Sequence, residues 1–233
     1  MMNWRTACAA VIPCLNEQAT IASVVAGVKG HVDTVLVVDD GSSDRTSELA
    51  GAAGAEVLRH DGPRGKGAAL LTGWARARQL GFKWVLTLDG DGQHAATDIP
   101  GFFREAEKDS AALVVGNRMG ATLHMPALRR YVNHWMSRRL SAAAGCPLPD
   151  SQCGFRLMNL EAWSALSLVS RHFEIESEVL LAFVRANYRV AFVPVLSIYK
   201  NEQSKIHPLR DTVRWFRWWR RAKRARRSGK PQV

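Results

Sequence analysis

The chain has 233 residues, with 32 Lys or Arg against 21 Asp or Glu and a formal net charge of +11. At 47% hydrophobic and 23% charged residues it is neither disordered nor fibrous, and its length suits one domain with a full α/β interior. The charge is uneven: residues 205–233 hold 11 basic residues against the single Asp211, which leaves the rest of the chain at a net of +1.

In chain order, the apolar run Ala7 to Cys14 predicts a first strand. Ile21, Val24, Val25 and Val28 then recur at helical spacing, and Gly30 stops that helix. Thr34 to Val38 predicts a second strand, followed by the polar run Asp39-Asp40-Gly41-Ser42-Ser43-Asp44. A helix from Arg45 to Ala53 precedes a third strand, Glu56 to Arg59. Gly65-Lys66-Gly67 opens a helix to Leu80, and Lys83 to Leu88 predicts a fourth strand. Asp98 to Lys108 is helical and Ala112 to Gly116 is a fifth strand. Such alternation predicts a mostly parallel sheet with helices on both faces. Beyond it, Leu128 to Ala144 and Glu176 to Asn187 read as helices and Val190 to Val195 as a strand.

Cys8, Cys14, Cys146 and Cys153 lack the close pairing of a zinc site, and Cys8 and Cys14 flank an apolar strand, so free buried thiols in a reducing, cytosolic setting are expected. Asn16, Glu17 and Gln18 interrupt the apolar start, unlike a signal peptide. No stretch approaches the ~20 apolar residues that span a bilayer.

The chemistry-bearing residues gather at predicted strand ends, where open α/β sheets bind ligands. Thr87-Leu88-Asp89-Gly90-Asp91-Gly92-Gln93-His94 follows the fourth strand. Two carboxylates one residue apart, with an amide behind them, suit a hard divalent cation that keeps positions open for phosphates. The same residues also read as an Asp-Gly turn. Asp39 and Asp40 follow the second strand and Asn16-Glu17 the first; alone these read equally as a turn and a helix start, but at this edge one crevice could collect Asp39, Asp40, Asp89 and Asp91. Arg64-Gly65-Lys66-Gly67 lacks the Gly-x-x-x-x-Gly-Lys-Ser/Thr pattern of a nucleoside triphosphatase, and no Gly-x-Gly-x-x-Gly follows the first strand.

Taken together and in order, several motifs resemble the family 2 inverting glycosyltransferases, most closely the dolichyl- or polyprenyl-phosphate mannosyltransferase-like branch. The matching segments are Ile12 to Glu17, Val37 to Thr46, Gly65-Lys66-Gly67, Leu88 to His94, Gly116-Asn117-Arg118 and Asp150 to Arg156. The resemblance spans residues 7 to 205. It implies a GT-A-type α/β fold over residues 1–206, a nucleoside-diphosphate sugar as donor and a cation such as Mg²⁺ or Mn²⁺. Pro13, Leu15, Glu17, Asp39 and Asp40 are then expected to hold the nucleoside. Asp89, Asp91 and Gln93 are expected to bind the metal and, through it, the diphosphate. Arg118 is expected to contact phosphate or sugar, with Asp91 and Arg118 central to catalysis. Arg129 and Lys205 match basic positions for an acceptor phosphate. Two departures stand out. Gly90 replaces the Ala common in that branch, a change expected to be harmless, and Ala95 and Ala96 stand where a Pro is often found.

The acceptor decides which further groups are needed. A hydroxyl needs a general base, for which Glu174, Glu176 and Glu178 are candidates, although a structural role is open for Glu178. A phosphate monoester, with a second pKa of about 6, is already an anionic nucleophile at pH 7 and needs cations instead. The expected reaction is transfer of a hexose from GDP-mannose or a UDP-glucose-type donor to a polyprenyl or dolichyl phosphate. Transfer to a sugar or lipid hydroxyl is the rival, and a non-catalytic, membrane-attached sugar-nucleotide-binding protein is a rival of another class. In the tail, residues 207–233, Leu209, Thr212, Val213, Trp215, Phe216, Trp219 and Ala222 share a helical face with Arg around it. That pattern predicts a basic amphipathic helix on the cytoplasmic face of a membrane, with Trp215, Phe216 and Trp219 in the headgroup region. Its aromatic content favours lipid over nucleic acid, and a helix docked on the protein body is the other alternative.

Overall fold

The computed structural model describes residues 2–120, 125–198 and 208–228. Its sheet is built from β1 (Cys8–Cys14), β2 (Thr34–Asp39), β3 (Glu56–Arg59), β4 (Trp84–Thr87), β5 (Leu113–Asn117), β6 (Arg156–Asn159) and β7 (Val190–Pro194). Their spatial order is β3-β2-β1-β4-β6-β5-β7. All seven residues of β1 are buried, which explains why its sequence is a continuous apolar run and not an alternating one. The pairs β1–β2, β2–β3, β1–β4 and β5–β7 are parallel.

Helices α2 (Ile21–Lys29), α3 (Thr46–Ala52), α4 (Lys66–Gln79) and α5 (Ile99–Asp109) make the crossovers foreseen from the sequence, each boundary lying within a few residues of its expected place. On α2 the buried residues are Ile21, Val24, Val25 and Val28, one helical stripe turned to the sheet. A short N-terminal helix, α1 (Trp4–Ala7), was not foreseen; Trp4 stacks on Phe103 of α5 at 4.6 Å.

The main departure is β6, which the sequence does not announce. It enters antiparallel between β4 and β5 and separates two strands that are consecutive in the chain. Helices α6 (Ala127–Ala144), α7 (Leu160–Ser164) and α8 (Ile175–Arg185) complete the second half.

The C-terminal helix α9 (Pro208–Ser228) forms as expected, but its aromatic face is not turned to solvent. Trp215, Trp218, Trp219 and Ala222 are buried against the protein body, Trp215 at 2% exposure. The Trp215 indole N–H donates to Ser177 Oγ of α8 (2.9 Å), and its ring meets Trp135 of α6 edge-on at 5.6 Å. This corrects the expectation that Trp215 and Trp219 enter a headgroup layer: burying them on α6 and α8 removes large apolar area from water within the molecule itself. Among the described side chains of this helix, Phe216 (41% exposed) and Val213 (49%) are the large apolar residues that remain accessible. Among the described residues no helix is long and apolar enough to cross a membrane.

Candidate active site

The C-terminal ends of β2, β1 and β4, neighbours in the sheet, open on one cleft of about 700 Å³. This is where the strand order reverses, β2 and β3 being added on one side of β1 and β4 on the other. Pro13, at the end of β1, and Leu15 and Glu17, from the loop after it, border the cleft. That loop is stapled to the one after β2. Asn16 sits in the left-handed region (φ 53°), with its N–H donating to Ser42 Oγ (2.9 Å) and its side-chain oxygen accepting from the Ser43 N–H (2.8 Å). The Glu17 N–H donates to Thr46 Oγ1 (2.8 Å). The serines and threonine of the second motif therefore shape the loop that carries Glu17.

The acidic pair at the end of β2 divides. Asp39 is fully buried and does not border the cleft; it accepts from the Ser42 N–H (2.8 Å) and from the Ser47 hydroxyl. Burial opposes its charge, but these donors, with Arg59 nearby, hold its carboxyl below the usual range. Asp40 does border the cleft and organises the approach to α4: it pairs with His60 Nδ1 (2.7 Å) and accepts from the N–H groups of Arg64 (2.9 Å) and Gly65 (2.7 Å).

Gly65-Lys66-Gly67 is not a phosphate loop. The Gly65 N–H is committed to Asp40 and the Ala68 N–H to Arg171 O. Gly65 has φ of 101°, and a Cβ there would lie 2.2 Å from His172 Nδ1, so only glycine lets the chain pass. The passage sets Lys66 at the mouth of α4, where its Nζ lies 2.6 Å from both Asp89 Oδ1 and Glu176 Oε1. Burial disfavours the ammonium, yet the two carboxylates raise its pKa.

Asp89 and Asp91 stand together as foreseen, with Gln93 on the same rim. Burial works against the Asp89 charge, but Lys66 and then His94, 3.5 Å away, hold its carboxyl well below the usual range. Asp91 is pushed the other way, by burial first and by the Asp89 charge second. This crowded pair carries negative charge that a cation relieves, so the residues fit a divalent ion held by Asp89, Asp91 and Gln93. Among the described residues no cage of three or more His, Cys, Asp or Glu exists. Two carboxylates and an amide suit an ion that takes its other ligands from phosphate and water. At Gly90 a Cβ would lie 2.6 Å from Cys14 Sγ, so the Ala common in the resembling branch would need the Cys14 thiol to shift, and glycine fits where Cys14 fills the floor.

Arg118 and Arg129 border the same cleft from the far side. Arg118, 6% exposed, makes a forked bond to buried Asp150 through Nε (2.8 Å) and Nη2 (2.9 Å), leaving Nη1 outside that fork. Lys205 lies outside the described residues. Of the three glutamates, Glu176 reaches the cleft and Glu174 does not. Glu178 is buried beneath the segment before α8, accepting from the Val169 and Ser170 N–H groups (3.2 and 2.9 Å). Sequence reasoning missed Lys66 as a charge partner of Asp89, as well as Gln152 and Arg214, which also border the cleft. Only the basic residue between two glycines signalled the first.

Residues 9–166 match the family model described as Glycosyl transferase family 2. A relative from Methanococcus voltae, UDP-N-acetylglucosamine–dolichyl-phosphate N-acetylglucosaminyltransferase, is 30% identical over 81% of this chain and 84% of its own length. Glycosyltransferase AglJ of Haloferax volcanii is 31% identical over 85% of this chain and 66% of its own. Among solved structures, glucosyl-3-phosphoglycerate synthase from Mycobacterium tuberculosis in complex with phosphoglyceric acid superposes with a TM-score of 0.72 and 25% identity, covering 98% of this chain and 82% of that one. The complex of that enzyme with Mn²⁺, uridine diphosphate and phosphoglyceric acid gives 0.72 at 24% identity, over 98% of this chain and 80% of that one.

Proposed function

The chain belongs to glycosyl transferase family 2, and from that premise we propose that it moves a hexose or N-acetylhexosamine from a nucleoside-diphosphate sugar to a polyprenyl or dolichyl phosphate, with inversion at the anomeric carbon. One observation carries the choice of acceptor. The cleft holds arginines opposite its acidic pair, while Glu176, the sole one of the three candidate bases to reach it, is engaged by Lys66. The Glu176 carboxylate is thus already occupied by an ammonium at 2.6 Å where a hydroxyl acceptor would need it, whereas an anionic nucleophile needs no base. The relative from Methanococcus voltae, named for a dolichyl phosphate, supports the same class.

In this reading, the acceptor's phosphate oxygen attacks the anomeric carbon on the face opposite the diphosphate. The new C–O bond forms as the bond to the β-phosphate breaks, and the nucleoside diphosphate leaves with that electron pair and no proton transfer. Pro13, Leu15, Glu17 and Asp40 position the nucleoside, with Asp39 rigid beneath them. Arg118, fixed by Asp150, meets phosphate, and Arg129 with Lys205 balances the acceptor. A divalent cation, when bound by Asp89, Asp91 and Gln93, supplies Lewis-acid neutralisation of the departing diphosphate. The exposed basic side of α9, with Arg217, Arg220 and Arg221, rests on the cytoplasmic face of an anionic membrane, where a lipid acceptor resides.

Incubation with a panel of radiolabelled nucleotide sugars and either polyprenyl phosphate or polyprenol, followed by lipid extraction, tests the reading. Label is expected in an acid-labile glycosyl phospholipid formed only from the phosphate. Transfer to polyprenol that Glu176→Gln abolishes would instead establish the hydroxyl acceptor, with Glu176 as base.

A further inference from the structure

We infer that α9 supplies a residue of the acceptor site: Arg214 binds the phosphate of the acceptor, together with Arg129. The inference rests on the phosphate-acceptor reading and extends it to a helix to which the sequence pattern gives no part in the acceptor site.

Within the exposed basic stretch of α9, Arg214 differs from its neighbours. It is half-buried and borders the cleft, while Arg217, Arg220 and Arg221 are exposed and do not. Its position is fixed by the residue beside it. The buried Trp215 indole donates to Ser177 Oγ (2.9 Å), and the same oxygen accepts from Gln152 Nε2 (2.9 Å), whose residue also borders the cleft. The α9 helix is thus hydrogen-bonded, through one hydroxyl, to the wall of the site. Trp135 locks the second side: it meets Trp215 at 5.6 Å and Phe216 at 5.3 Å, and it lies on α6, the helix that carries Arg129. Two guanidinium groups from two helices packed on each other therefore face one cavity. Planar guanidinium forks match the oxygens of a phosphate, and a monoester carrying about −1.5 to −2 charge at pH 7 needs such partners beside Asp89 and Asp91.

The test separates phosphate binding from headgroup binding. Transfer is measured with a short-chain polyprenyl phosphate dissolved in neutral detergent, without vesicles, and with a long-chain acceptor in anionic vesicles. Arg214→Gln is expected to raise the KM for the short-chain acceptor at least tenfold and to leave the KM for the nucleotide sugar within twofold. Arg214→Lys, which keeps the charge but loses the fork, is expected to fall between. Arg217→Gln is expected to change only the vesicle assay. A thermal unfolding scan accompanies each variant, and Arg214→Lys decides the case if Arg214→Gln does not fold. An unchanged short-chain KM in Arg214→Gln, with a loss confined to vesicles as in Arg217→Gln, overturns the inference while leaving the acceptor class intact. If the wild-type protein glycosylates polyprenol and no phosphate, the underlying reading fails as well.

Discussion

At Lys66, one ammonium stands within 2.6 Å of two carboxylates from opposite halves of the chain, Asp89 and Glu176. The protein thus sets a cation of its own against Asp89. A divalent ion must compete with that ammonium, and removing it lowers the opposing positive charge at the site. Lys66→Met is therefore expected to bind Mn²⁺ about tenfold more tightly without nucleotide, as read by calorimetry; one charge at contact distance is worth ~4 kcal/mol at a surface-like dielectric, so tenfold is a modest share of it. The same variant takes the ammonium away from buried Glu176 and from Asp89, which keeps His94 at 3.5 Å, so it is expected to melt lower without metal and to gain more from added Mn²⁺ than the wild type does. Equal Mn²⁺ affinity in the two proteins would refute the competition. None of this is written in the local sequence, because residue 66 and residue 176 are joined only by folding. By contrast, Asp89, Asp91 and Gln93 are legible, since their spacing within one loop after a strand decides where they point.

Among the elements, α9 is the one whose existence the sequence specifies and whose partner it does not. A helix with Trp on one face and Arg on the other reads the same whether that face meets lipid or protein; the receiving surface, Trp135 of α6 and Ser177 of α8, lies far away in the chain. With Trp215 buried and Phe216 41% exposed, their truncations are expected to differ. Trp215→Ala should cost ~3–5 kcal/mol in urea unfolding, and Phe216→Ala less than about 1 kcal/mol. Similar small losses for both would mean that the helix leaves the body in solution. Strand β6 was illegible for a different reason. It has Leu157 and Met158 as its apolar residues, and it opens on Arg156, whose buried guanidinium is met by the carbonyls of Cys153 (2.8 Å), Ser151 (3.1 Å) and Glu176 (2.7 Å). Neither alternation nor a long apolar run marks such a strand.

For the molecule as a whole, the proposed contact with a membrane surface would be set by the nearly neutral body and the basic C-terminal stretch. With Trp215 and Trp219 turned inward, attachment would depend on the exposed arginines and on accessible apolar residues such as Phe216 and Tyr131 (70% exposed). A charge-led contact is screened beyond ~10 Å at 0.1 M salt. The full chain is expected to sediment with phosphatidylglycerol vesicles at low salt, to be largely released at about 0.5 M salt, and to ignore neutral phosphatidylcholine vesicles. Salt-resistant binding, or equal binding to neutral vesicles, would argue against a charge-led attachment.

The sequence by itself determined the alternating first half, the parallel core and the acidic residues at strand ends, because each depends on the pattern within one segment: a continuous apolar run or a 3.6 period for the elements, one residue between Asp89 and Asp91. Tertiary structure alone decided what required two distant segments to meet. It divided Asp39 from Asp40 between core and cleft, set Lys66 between Asp89 and Glu176, and inserted β6 between β4 and β5. It also turned the tryptophans of α9 inward and so carried Arg214 to the cleft. Burial of apolar area and pairing of buried charge govern these choices, and both are properties of the assembled surface, which no local pattern of residues encodes.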